Sequence, residues 1–193
     1  MNISINFENT PRESYLYRGL IYSSYEKYEE AILDLTKFLQ LTPEYHKDKP
    51  EAILKRAIAK YFKGQFNSAI NDLTEVLKRQ PDNWLAFRVL GWIYLKKEKY
   101  SLALKHFNEA SNKGDYDSEL YFNRGLCQLK LFNYEDAVSD LSTFLRNVNK
   151  SHKNYPSALY KRGLSLFFMK RIEEACIDWN DLLILESNID AEK

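Results

Sequence analysis

Four arginine–aspartate pairs recur along the chain, each pair separated by sixteen residues: Arg18 and Asp34, Arg56 and Asp72, Arg124 and Asp140, Arg162 and Asp178. A guanidinium is a planar fork of donors, and a carboxylate can accept two of them side by side. The spacing therefore predicts four bidentate ion pairs. Between the second and third pairs the corresponding positions hold Leu90 and His106, so both partners are lost together there. Four arginines could instead grip an anionic ligand, but a partner at constant distance favours a structural bridge. Removing only the aspartate of such a bridge would strand a partly buried cation, at a cost of about 3 kcal/mol.

The other residue types capable of chemistry are sparse. Cys127 and Cys176 form no CxxC and have no neighbouring histidine, so two reduced core thiols are expected and no metal site. His46 and His152 fall in two polar loops, and His106 stands alone. No GxSxG elbow, Gly-rich phosphate loop or HExxH helix is present in the sequence. The expectation is a non-enzymatic protein with no catalytic residues, no cofactor and no metal.

The elements that must position the ion pairs follow from a second periodicity. A small residue recurs at Gly19, Ala57, Gly91, Gly125 and Gly163, and a second at Ala31, Ala69, Ala103, Ala137 and Ala175. Large residues surround both at helical spacing, as in the stretch Tyr121–Leu145. The units run 12–45, 50–83, 84–117, 118–151 and 156–189. A period near 34 residues with small residues where two helices must approach is the pattern of a helix–turn–helix solenoid. Predicted helices lie at 12–25, 28–41, 50–63, 66–79, 84–97, 100–112, 118–131, 134–147, 156–169 and 172–186. Pro50 and Pro156 open helices, where a missing N–H costs nothing, and Gly64 suits a left-handed helix end.

These residues resemble the tetratricopeptide repeat family over 12–189. The departures are small: the third unit ends in Gly114-Asp115, and the fourth and fifth also lack a terminal proline. The resemblance implies an all-α, right-handed α-solenoid of five repeats forming a single domain. Residues 1–11 read as a poorly ordered N-terminal extension and 190–193 as a tail. A second pattern lies over the first. Residues 106 apart match at Glu13/Glu119, Tyr15/Tyr121, His46/His152, Lys47/Lys153, Pro50/Pro156 and Lys55/Lys161, and both four-residue insertions correspond. A duplicated two-repeat block explains this most simply. The two HKxxP loops then read as inherited rather than as binding elements.

Lys plus Arg number 28 against 27 for Asp plus Glu, so no field exists to hold nucleic acid by its phosphates. The start, MNISINFENTPR, lacks the form of a signal peptide, and no apolar run reaches the length of a membrane span. A cytoplasmic protein without membrane insertion is expected.

The resemblance assigns the first helix of each repeat to a concave ligand face. On it lie Leu54, Ile58, Phe62, Arg88, Trp92, Phe122, Asn123, Leu126, Tyr160 and Lys161, a row apolar enough to receive an apolar peptide or an amphipathic helix. Burial between neighbouring first helices competes with that reading; Trp92, Phe122 and Tyr160 are expected to stay accessible. One branch of the family clamps a C-terminal carboxylate, and its positions match here at Arg88, Asn123 and Lys161 but not at Trp92 and Ser157. The helix predicted at 172–186 is apolar nearly all round, and Trp179, Leu182, Leu183 and Leu185 are the expected contacts of a homodimer. The function implied is a protein-interaction scaffold. A self-assembling subunit or secretion-type chaperone is the alternative.

Overall fold

The computed structural model describes residues 11–191, with side chains described as far as 185. Residues 1–10 and 192–193, which carry most of the expected extension and part of the tail, lie outside the described residues. The fold is an all-α helical-repeat solenoid, and the described residues form ten helices: α1 (Arg12–Ser24), α2 (Tyr28–Leu41), α3 (Lys49–Phe62), α4 (Phe66–Arg79), α5 (Trp84–Lys96), α6 (Tyr100–Asn112), α7 (Ser118–Lys130), α8 (Tyr134–Asn147), α9 (Tyr155–Phe168) and α10 (Ile172–Ala191). The helix expected to stop at 186 continues to Ala191. The chain divides into two compact units, Met1–Ile93 and Tyr94–Lys193, with the division inside α5.

Local chemistry explains the helix ends. Pro50 and Pro156 sit in the first turns of α3 and α9, where the backbone has no intrahelical acceptor to lose. Asn83 Oδ1 accepts the N–H of Ala86 at the start of α5, and Asp117 accepts that of Glu119 at the start of α7. Every first helix ends in a left-handed residue: Glu26, Gly64, Glu98, Phe132 and Lys170, with φ between 55° and 72°. The next residue then donates its N–H back five positions, as from Lys27 to Tyr22 and from Asn133 to Gln128, both at 2.9 Å. Only one of the five carries the glycine that this conformation favours.

In the first unit α1 pairs with α2 and α3 with α4, and α2 packs on α3. Tyr15, Leu16, Leu35, Phe38 and Ala52 form its buried cluster. In the second unit α6 packs on α7, α7 pairs with α8, α8 packs on α9, and α9 pairs with α10. Phe122, Leu141, Phe144, Leu145, Ala158 and Leu159 are buried together there. The small positions are the contact points of each hairpin. A methyl on Gly125 would stand 2.9 Å from Leu141 Cγ, and one on Gly163 would stand 2.5 Å from Trp179 Nε1. Leucine and tryptophan reach that close only because glycine has no Cβ.

The four ion pairs join first to second helix within each repeat. Arg18 donates to both Asp34 oxygens at 2.6 and 2.7 Å, Arg56 to Asp72 at 2.8 and 2.8 Å, Arg124 to Asp140 at 2.7 and 2.5 Å, and Arg162 to Asp178 at 2.8 and 2.5 Å. All four aspartates are buried. The aspartate hydrogen bond, outweighing desolvation, holds Arg18, Arg124 and Arg162 above the ordinary arginine pKa. Asp72 also accepts from Lys60 Nζ at 2.7 Å. Where the pair is missing, Leu90 is buried, and His106 stacks on Tyr94 with ring centroids 5.2 Å apart. Burial, more than Lys105, lowers the His106 pKa.

The HKxxP loops have a structural account that the sequence did not supply. His46 Nδ1 accepts the N–H of Asp48 and His152 Nδ1 that of Asn154, at 3.3 and 3.2 Å. Each imidazole meets the ring of Phe38 or Phe144 edge-on. The histidine thus ties the residue before the next helix to the core of the preceding one. One expectation about thiols needs correcting. Cys127 is buried, which pushes its pKa up to about 12, but Cys176 is exposed on α10 and is not a core residue.

Candidate partner-binding face

The residues expected on the concave face separate into three kinds once packed. Leu54 and Phe122 are buried. Phe122, expected to be accessible, is only 6% exposed, because its ring lies 5.1 Å from Phe144 within the second unit's core. It is a packing residue. Ile58, Arg88, Trp92, Asn123, Leu126 and Lys161 are half-buried, and Phe62 and Tyr160 are exposed.

In the first unit the exposed ring of Phe62 on α3 stacks on Tyr28 of α2, with centroids 4.7 Å apart and planes 10° apart. The aromatic surface continues through Tyr61 to Trp92, 5.8 Å away. The Arg88 guanidinium lies over two indoles of its own helix, 4.9 Å from Trp84 and 5.3 Å from Trp92. Beside the Phe62–Tyr28 stack is a hollow of about 310 Å³, lined by Leu20, Ser24, Glu51, Lys55 and Ile58 among others. A second hollow of about 490 Å³ lies between Leu54 and the turn from Gln80 to Leu85.

The second unit repeats the platform. Phe168 of α9 stacks on Tyr134 of α8 at 5.1 Å, and Phe167 lies 6.0 Å from Trp179. The polar residues around it differ. Lys161 lies over the Tyr160 ring, and burial first, with the Lys130 charge second, lowers its pKa. Asn123 donates one of its two amide N–H groups to Glu119 O at 2.7 Å.

The expected oligomer contacts also divide. Trp179 is half-buried against Gly163 and points Nε1 at Tyr160 O, 3.4 Å away. Leu182 and Leu185 pack on the core cluster of the second unit. Three of the four residues therefore have neighbours within the chain, and only Leu183 faces outward. Among the described residues no cluster suited to a metal ion is found, and no helix is long and apolar enough to cross a membrane.

Sequence reasoning missed the aromatic stacks. Tyr28 and Tyr134 open second helices and were not assigned to a ligand face, although their match 106 residues apart was visible in the duplication.

Comparison with known proteins bears on this surface. Three family models described as tetratricopeptide repeat match residues 13–45, 54–118 and 157–184. Human tetratricopeptide repeat protein 13 is 29% identical over 124 residues, covering 61% of this chain and 14% of that protein. The wheat Hsp70-Hsp90 organizing protein is 32% identical over 80 residues, covering 42% of this chain and 13% of that protein. The chain thus spans about a seventh of the length of these relatives. Among solved structures, MamA from Desulfovibrio magneticus superposes with a TM-score of 0.77 at 19% identity, over 92% of this chain and 96% of that one. That likeness concerns the fold.

Proposed function

Because this chain belongs to the tetratricopeptide repeat family, we propose that it is a non-enzymatic protein-interaction scaffold whose first helices hold an apolar peptide or amphipathic helix of a partner. On this reading the five repeats act as one domain over 12–189 and work in the cytoplasm. The observation that carries it is the pair of aromatic platforms, Phe62 on Tyr28 and Phe168 on Tyr134, whose outer rings are exposed, the first of them beside a hollow. Exposed aromatic surface that is rigid and backed by a second ring loses little entropy on binding, and such residues dominate interface energetics. Leu54 and Phe122 leave the proposed contact set; Phe62, Trp92 and Tyr160 remain in it, with Arg88 and Lys161 at its polar margin.

The organizing proteins among the relatives are named for Hsp70 and Hsp90. A carboxylate clamp of that kind is the weaker reading here, because Trp92 and Ser157 stand at two of its positions. Self-association, or a chaperone role built on it, is the second reading, favoured by the outward-facing Leu183 on α10.

The test selects binders from a displayed library of random peptides and measures their affinity by fluorescence anisotropy. Apolar or amphipathic sequences should be enriched. Phe62→Ala with Phe168→Ala should weaken them more than tenfold while leaving the melting temperature nearly unchanged. Selected peptides indifferent to both substitutions would remove the groove reading.

A further inference from the structure

The frame of residues lining the hollow beside the Phe62–Tyr28 stack returns 106 positions later, around the Phe168–Tyr134 stack of the second unit. Its apolar part is kept: Leu20 becomes Leu126, Ile58 becomes Leu164, and the two stacked rings recur. Lys55 is kept as Lys161. The remaining polar positions change sign. Glu51, one helical turn before Lys55, becomes Ser157, and Ser24 becomes Lys130. The first unit therefore sets one acid and one amine in this frame, whose charges cancel, and the second sets two amines and no acid.

Nothing in the second unit answers those amines. Among the described residues neither Lys130 nor Lys161 forms an ion pair with a carboxylate. The acids of the surrounding helices are engaged or turned to water. Glu119 on α7 holds Asn154 and His152, Glu174 on α10 holds Arg171, and Glu135 and Asp136 at the start of α8 are exposed. Lys161 is half-buried, with its amine 5.8 Å from the Tyr160 ring centre, and burial first and the Lys130 charge second lower its pKa. Two like charges at the edge of an exposed aromatic stack are stabilised by a carboxylate, which gives each amine a partner and cancels their repulsion.

We propose that the second unit's platform receives a partner segment in which an aspartate or glutamate stands beside a large apolar side chain, the apolar group lying on Phe168 and the side-chain carboxylate between Lys130 and Lys161. Exposed rings stand on both sides of Lys161 along α9, Tyr160 just before it and Phe168 two turns after. The segment therefore runs on past its acid, and the carboxylate is that of a side chain rather than of a chain end. The first platform, with Glu51 where the second has Ser157, takes apolar segments without that requirement. The proposal rests on the groove reading above and names the chemistry that one half of the groove selects.

The probe is a displayed library of random peptides without free C-termini, panned on the Phe62→Ala protein so that the second platform decides the selection. Selected peptides are synthesised with amidated C-termini and measured by fluorescence anisotropy, beside twins in which Asn replaces each Asp and Gln each Glu. Two protein variants accompany them: Phe168→Ala, and Lys130→Ser with Ser157→Glu, which gives the second unit the residues of the first at positions that are not buried. Circular dichroism checks that helicity is kept. The selection should pair an acid with a large apolar residue, and the acidic peptides should bind about fivefold or more tightly than their twins, by a margin that shrinks as salt is raised. The Lys130→Ser, Ser157→Glu protein should lose that margin while binding the twins as before. Twins that bind as tightly as the acidic peptides would overturn the proposal and leave the groove reading standing. A margin that survives Lys130→Ser with Ser157→Glu would overturn it too, the acid then lying elsewhere. A free C-terminal carboxylate that replaces the acidic side chain without loss would return the site to a chain-end clamp. If no selected peptide is weakened by Phe168→Ala, the second platform is not part of the groove, and both readings of it fail together.

Discussion

The two duplicated blocks, α1–α4 and α7–α10, share their Arg–Asp bonds and differ mainly at their solvent-facing polar residues. Both have the bidentate Arg–Asp pair in each repeat, the histidine loop and the Tyr–Phe stack. Both set the first arginine over a tyrosine three residues before it, Arg18 over Tyr15 and Arg124 over Tyr121. Around the stacks, however, Ser24, Glu51 and Lys55 in the first block become Lys130, Ser157 and Lys161 in the second. An acid and an amine border one platform, while two amines border the other, where burial first and the Lys130 charge second lower the Lys161 pKa. The loops are pinned differently too. Glu44 ties the first to Arg79 and Lys49, and Glu119 ties the second to Asn154 and His152. A bidentate Arg–Asp bond fails if either partner changes alone, and both copies hold it; the buried Lys60–Asp72 bond is confined to the first block, because Leu166 stands at the position of Lys60 in the second. A solvated position costs little to change, so it is there that the blocks can come to prefer different partner chemistry.

The comparison breaks most visibly at the core. Phe122 in the second block corresponds to Leu16 in the first, and both are buried. Phe122→Ala should cost about 3–5 kcal/mol and Leu16→Ala about 2–5 kcal/mol, whereas Tyr160→Ala, at an exposed ring, should change the urea midpoint little. A Phe122→Ala protein of full stability would return that ring to the partner-binding face. The ion pairs sharpen the comparison at a smaller scale. Asp140→Ala strands Arg124, whose side chain is 19% exposed, and should cost about 3 kcal/mol. Asp34→Ala should cost less, because water reaches the more exposed Arg18. Equal losses in equilibrium unfolding would mean that solvent access does not set the size of the effect.

The parts legible in the sequence are those fixed by period and pairing. The helices, the small contact positions and the Arg–Asp partners all follow from residues that must meet at fixed separation. Exposure was not legible in the same way. Phe122 and Tyr160 occupy the same place in their repeats, yet one is covered by Phe144 and the other is open, because the neighbouring side chains differ in size and the repeat frame does not encode that. Cys176 fails for a related reason: its counterparts Ile32, Ile70 and Val138 are half-buried, whereas among the described residues α10 packs on α9 alone. The His46 and His152 loops could be seen to correspond, but their role required the Nδ1 contact, which spacing does not reveal.

The smallest expected difference lies in the turns. Glu26 and Phe132 are equivalent residues at the ends of α1 and α7, with φ of 59° and 63°, and both are exposed. The left-handed conformation brings Cβ against the following carbonyl, at about 1–2 kcal/mol for an ordinary residue. Glycine removes that cost and loses part of the gain to its greater freedom in the unfolded chain. Phe132→Gly should therefore stabilise by up to about 1 kcal/mol, and Glu26→Gly by about half as much, since a bulky aromatic side chain fits the left-handed region less well. The Phe132 ring gives back little, lying 6.3 Å from Tyr134 and otherwise in solvent. Denaturant unfolding of both variants measures the gain. If Phe132→Gly destabilises, the ring contributes a contact to the Tyr134–Phe168 platform that outweighs the backbone strain, and the second block's groove then extends out to its turn.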